Sequence, residues 1–284
     1  MSLSTARGRA RPRVPLRHGE GNKDHLSSFG GLAALSLDAL SSVAYGPEAI
    51  VVVLVAAGTS ALRLTLPVTL AITGLLVVLV ISYCQVIAVH PDGGGAYAVG
   101  KKDLGATVSL LAAASLVVDY VLTVAVSLAA GAASLASVFP SLRHDLLPMT
   151  LIGLAGIAAV NLWGIAESAR FLMVPMVAFL CAIFGVIVVG LVRSHPAALV
   201  GTTEPVAVTE ALGVILVLKA FAAGCSALTG IEAIANGVPT FRQPRARRAQ
   251  RTELMLGALL GLMLVGLSVL IRPARRPAGR RSHP

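Results

Sequence analysis

Charge is scarce in this chain. Only 13% of its 284 residues are Asp, Glu, Lys or Arg while 56% are apolar, a balance that excludes a water-soluble globule of this size. Cysteine is scarcer still. Cys84, Cys181 and Cys225 stand singly in apolar stretches, without CxxC or Cys/His spacing, so neither a disulfide framework nor a zinc site is expected; buried free thiols are. Enzyme signatures are missing as well. There is no HExxH and no GxSxG, and His18, His25, His90, His144, His195 and His283 all fall in tails or loops, away from any plausible nucleophile. The chain reads as a non-enzyme without a cofactor.

What charge there is leans positive. The net charge of +10 raises the idea of nucleic-acid binding, but the basic residues gather in the two tails and one late loop, with long uncharged runs between them. Nucleic acid is therefore not an expected partner; a lipid bilayer is. The apolar stretch after the basic N-terminus is too long for a signal-peptide core and lacks a small-residue cleavage site, so it reads as a first membrane helix.

A helix needs about 20 mostly apolar residues to cross the roughly 30 Å hydrocarbon core, because backbone groups cannot be left unpaired in lipid. Seven segments approach that requirement, at about 29–57, 64–89, 106–137, 148–166, 168–192, 211–238 and 254–271. Lys and Arg counts in the connections orient them. The N-terminal tail, the loop with Lys101 and Lys102, the loop with Arg170 and the loop from Arg242 to Arg251 hold 14 basic residues; the opposite loops hold only Arg63, Arg143 and Arg193. The N-terminus is predicted cytoplasmic, in a multi-pass protein of the cell (inner) membrane. The tail from Arg272 to Pro284 breaks the pattern, with five arginines where seven crossings would put an external segment. Either the seventh segment does not span, or this tail is not the natural continuation, for example after a shifted reading frame.

A charge at mid-membrane costs at least about 2.5–3.5 kcal/mol on insertion scales, which makes intramembrane carboxylates functional candidates. Asp38 and Glu48 lie in the first span, Asp119 in the third and Glu232 in the sixth. Asp119, Thr123 and Ser127 follow one another at four-residue spacing, so they line one helix face as an oxygen-rich stripe with Tyr120 beside it. The competing reading has the hydroxyls bonded back to helix carbonyls and Asp119 satisfied by a neighbouring helix.

Two spans carry helix breakers. Gly46-Pro47 predicts a break near Tyr45, and Gly224 and Gly230 interrupt the sixth span. Glu48-Ala-Ile follows one break and Glu232-Ala-Ile the other. Broken helices at corresponding places of two halves point to a transporter with inverted repeats, its substrate site at the breaks; a packing kink is the alternative. The loop His90-Pro-Asp92-Gly93-Gly94-Gly95-Ala-Tyr97 runs on to Gly100-Lys101-Lys102. It contains GxxxxGK, but Lys102 stands where a P-loop needs Ser or Thr, so it reads as a tight turn at the cytoplasmic surface close to the first span. Gly257-x-x-x-Gly261 offers a close-packing face on the seventh span.

Asp38-Ala-Leu-Ser-Ser-Val-Ala-Tyr45-Gly46, Gly93-Gly-Gly-Ala-Tyr97, Asp119-Tyr-Val-Leu-Thr-Val-Ala-Val-Ser127, Asn161-Leu-x-Gly-x-x-Glu167-Ser and Gly224-Cys-Ser-Ala-Leu-Thr-Gly-x-Glu232-Ala-Ile occur together. In this combination, over nearly all of residues 25–271, the chain resembles the amino acid-polyamine-cation (APC) superfamily, within it the KimA-type potassium importers of the KUP family. The resemblance implies an all-α membrane protein of LeuT-like fold, two inverted five-helix repeats plus further helices, working as a proton-coupled potassium symporter by alternating access. By position it implies a cation held by Asp38, Tyr45, Asp119, Tyr120, Thr123, Ser127 and Thr229, with Glu232 carrying the coupled proton; a homodimer is compatible with it.

Relatives that carry amino acids present a Gly-Ser-Gly type of break in the first span. Here that stretch is Val43-Ala-Tyr45-Gly46-Pro47 with Asp38 before it, which favours a cation over an anionic group. The expected organisation is a basic tail (1–28), a first repeat (29–195), the start of a second (196–271) and the Arg/Pro tail (272–284). Against a family pattern of about twelve helices, the expectation is a truncated or frameshifted member that does not transport unaided. An amino acid or polyamine permease, and a non-transporting remnant or half-module, stay open as alternatives.

Overall fold

The computed structural model describes residues 25–93, 95–162, 165–193 and 208–271. All but the last four residues of the expected N-terminal tail, the 195/196 boundary and the whole Arg/Pro tail lie outside them. Every regular element among the described residues is helical. In chain order these are α1 (Ser28–Leu35), α2 (Leu37–Val55), α3 (Thr65–Val89), α4 (Gly95–Asp103), α5 (Ala106–Val138), α6 (Leu146–Leu162), α7 (Ile165–Val192), α8 (Val214–Gly224), α9 (Glu232–Asn236) and α10 (Arg245–Leu270).

Six stretches are long and apolar enough to cross a membrane: Leu37–Val55, Thr59–Val89, Ala106–Val138, Ala169–Val192, Val214–Asn236 and Arg245–Leu270. The fourth expected span, 148–166, is instead the shorter apolar helix Leu146–Leu162. A second difference lies in α10. It starts at Arg245, well before the expected residue 254, because nothing in Arg245–Glu253 breaks a helix and Arg and Gln propagate one readily.

Lipid tails are as apolar as leucine, so helices in a bilayer associate through close packing rather than through hydrophobic exclusion. The core follows that rule. Gly257 admits Val80 of α3, a Cβ there meeting the valine at 2.6 Å, and Gly261 faces Thr73 one turn on, so the GxxxG pair is the α3 contact face of α10. Between the same helices Thr69 Oγ1 and Ser268 Oγ share a buried hydrogen bond of 2.7 Å. Gly46 of α2 rests on Ala227, and Gly224 rests on Ile50 and Ile72. Outward rows such as Val117, Val121 and Leu122 of α5 are exposed, as a lipid-facing surface requires.

The chain start is clamped to the segment leading into α10. Leu26 N–H donates to Thr240 O (2.8 Å) and Arg242 N–H to Leu26 O (3.0 Å), while Arg242 Nε–H donates to His25 O (2.8 Å). Thr252 Oγ1 donates to Ser28 O (3.0 Å), and Ser27 caps α1 by accepting Gly30 N–H.

Candidate functional site

The first span is interrupted, but not at Gly46-Pro47. α2 runs through both residues, and the break lies at Ser36 (φ −119°, ψ 4°), between α1 and α2. Proline's fixed φ suits a helix, and one missing N–H is tolerated in a membrane helix whose neighbours hold it; Pro175 sits inside α7 in the same way. Gly46 serves the Ala227 contact rather than a hinge. Ser36 ends one helix and begins the next, its N–H reaching Leu32 O (3.2 Å) while its carbonyl accepts Leu40 N–H (2.9 Å).

The sixth span is interrupted at Thr229–Gly230. Gly224 is still helical (φ −69°), so it marks the packing contact just before the break and not the break itself. A tight turn, Cys225–Leu228, follows; then Thr229 is extended, Gly230 takes φ +80°, and α9 begins at Glu232. Only glycine adopts that φ without strain. It also has no room for a side chain, since a Cβ would lie 2.6 Å from Asp38 Oδ2. The two interruptions thus face each other. Each places a carboxylate, Asp38 or Glu232, in the first turn of the following helix, where the helix dipole favours negative charge.

Hydroxyls link the breaks. Ser42 Oγ is 3.0 Å from Tyr45 Oη, 3.1 Å from Thr229 Oγ1 and 2.8 Å from Asp38 O. Thr229 Oγ1 also donates to Ser226 O (3.0 Å). Ser42 is therefore the joint of the cluster, a residue that sequence reasoning did not single out although it lies four residues after Asp38 and three before Tyr45. Asp38 Oδ1 is buried without a hydrogen-bond partner.

Around this cluster stand the other expected residues. Tyr120 Oη accepts Asn236 Nδ2–H at 3.0 Å and stands beside Glu232. Asp119 is within electrostatic reach of both Asp38 and Glu232, so three carboxylates share one neighbourhood. Asp119 itself is exposed on α5, while Ser127 Oγ is buried and makes no hydrogen bond, so the back-bonded reading does not describe that hydroxyl. Thr123 lies between them on the same face, and no hydrogen bond ties it or Ser127 to the Ser42 cluster.

The glycine turn lies against the far end of the sixth span, not against the first as expected. Gly93 (φ +76°) packs on Pro239 and the Asn236 carbonyl, and Gly95 on the Asn236 side-chain oxygen. Its tightness thus positions Asn236, and through it Tyr120. One further carboxylate lies outside the predicted set: Glu253 of α10 is fully buried. A seventh span at 254–271 stops one residue short of it.

The gathered donors are hydroxyl oxygens and nearby carboxylates, a hard oxygen set that suits a cation rather than an anion. A sequence profile of the family described as amino acid permease matches residues 31–272. The chain is 42% identical over 262 residues to the potassium transporter KimA of Bacillus subtilis (strain 168). That match covers 90% of this chain and 43% of the relative, so the chain spans less than half the length of the curated protein it resembles.

Proposed function

The chain belongs to the amino acid permease family, and from that premise we propose that it is a secondary transporter rather than an enzyme, taking up potassium coupled to protons by alternating access. Asp38, Tyr45, Asp119, Tyr120, Thr123, Ser127 and Thr229 hold the cation. Glu232 carries the coupled proton. The protein sits in the cell (inner) membrane with its N-terminus in the cytoplasm, as the basic residues in the N-terminal tail and the Arg242–Arg251 stretch favour.

One observation carries the reading: the facing breaks at Ser36 and Thr229–Gly230, with Asp38 at their junction and the Ser42, Tyr45 and Thr229 hydroxyls alongside. A unit charge brought to about 4 Å from Asp38 interacts by about 4 kcal/mol at an effective dielectric near 20. The sign decides. That energy favours a cation and opposes a substrate carboxylate by about the same amount.

The family description keeps a second reading in view, an amino acid or polyamine permease. Uptake into a potassium-uptake-deficient strain and into proteoliposomes separates the readings. Potassium or rubidium entry that a protonophore abolishes supports the first; entry of labelled amino acids without growth rescue overturns it. No uptake of either, despite correct insertion, also overturns it.

A further inference from the structure

Glu253 has no role in the site above, yet it is 0% exposed, and neither carboxyl oxygen has a hydrogen-bond partner. Its helix fixes where it points. Gln250, one turn before, donates Nε2–H to Cys84 O at 2.9 Å, and Gly257, one turn after, receives Val80. Glu253 therefore lies on the α10 face pressed against the Val80–Cys84 turn of α3.

Among the described residues the titratable groups facing it are few. From α3 come Tyr83 and Cys84, both within electrostatic reach, and from α9 comes Glu232. Tyr83 is within reach of Glu232 too, so both carboxyls neighbour its hydroxyl. α1 and the Val238–Thr240 turn bring no titratable side chain; α2 brings Asp38, whose charged neighbours are Glu232 and Asp119; Arg170 of α7 is exposed. Among the described residues no cation pairs with Glu253, the ion pair present being Lys219 with Glu210. A bare carboxylate in such a place has neither donor nor counter-charge, whereas the neutral acid has an O–H to give.

We infer that Glu253 is a second proton-binding site of the spans, exchanging its proton with Glu232 past Tyr83 and lying on the side where α10 begins with its arginines. The inference rests on the reading of Glu232 as the coupling residue. In the net step the Glu253 O–H bond breaks, an O–H bond forms on the Glu232 carboxylate, and the negative charge passes from Glu232 to Glu253. A proton from the arginine-bearing side then restores Glu253.

The test is carbodiimide labelling of the full chain in its membrane, read by mass spectrometry of the digested protein. Dicyclohexylcarbodiimide attacks protonated carboxyls in apolar surroundings. At neutral pH Glu253 is expected to label about tenfold above the exposed Asp103, less as pH rises, and Glu253→Gln to lose the adduct. Glu232→Gln is expected to displace the pH of half-labelling at Glu253. An unlabelled Glu253, or a half-labelling pH indifferent to Glu232→Gln, overturns the inference. Labelling requires no transport. Absent uptake with a labelled, Glu232-sensitive Glu253 refutes the transport reading and supports the proton site; proton-driven uptake with an unlabelled Glu253 does the reverse.

Discussion

Asp38 and Gly230 meet where the two interrupted helices face each other, so closely that a Cβ on Gly230 would lie 2.6 Å from Asp38 Oδ2. Gly230→Ala therefore has two costs. The positive φ costs about 1–2 kcal/mol for an L-residue, and the methyl must also push the carboxylate aside. A lowered melting temperature in detergent and strongly reduced rubidium uptake are expected. Unchanged melting and uptake would refute the close approach.

Ser42 joins Tyr45 to Thr229, and removing its hydroxyl leaves both without their common neighbour. Ser42→Ala is expected to cost about 0.5–1.5 kcal/mol, a rise of roughly 2- to 13-fold in the potassium concentration for half-maximal uptake. Thr229→Ala should act similarly, Thr229→Ser much less, and the double alanine variant less than additively. Strict additivity in concentration-dependent uptake would show that the hydroxyls do not work together.

Asp119 and Glu232 carry distinct duties in the proposed cycle. Asp119→Asn should weaken potassium uptake while leaving it sensitive to a protonophore. Glu232→Gln should remove that sensitivity or the uptake itself. Wild-type rates and wild-type pH dependence in both variants would sink the assignment.

Small residues at the helix crossings are expected to tolerate little. Gly224→Val drives methyls into Ile50 and Ile72, and Gly46→Val does the same at Ala227, so each should destabilise by about 1–3 kcal/mol or more. Gly131→Ala is the control. A Cβ there meets nothing within 4 Å, and the substitution should be neutral or stabilise by about 0.4–1 kcal/mol. Thermal unfolding of the three variants decides whether the helices approach as closely as described.

Membrane sidedness is open to a direct check. In a cysteine-free background, Lys101→Cys and Arg63→Cys, both exposed, should react with an impermeant maleimide from opposite faces, Lys101→Cys from the cytoplasmic one. Labelling of both from one face would refute the topology.

Long uncharged runs and polar residues placed within them are enough to read the membrane class, and of the two glycines that mark the sixth span Gly230 lies at the break while Gly224 stays helical. The first break is not legible in the sequence for a physical reason. Pro47 is the louder signal, yet its fixed φ is helical, whereas Ser36 changes direction with an ordinary side chain that no pattern distinguishes. Glu253 was hidden by arginines on the preceding turns, which look like a loop although α10 runs straight through them. The part played by Ser42 depends on a partner 187 residues away, a distance no local spacing reveals.

The clamp between His25–Ser28 and Thr240–Thr252 has a mechanical consequence. α1 cannot swing outward without either tearing two backbone hydrogen bonds and their side-chain supports or dragging the approach to α10 with it. The second course also loads the Gln250 bond to Cys84 O, so the clamp ties α1 and the base of α10 to α3, with the turn at Ser36 and the Asp38 carboxylate just beyond it.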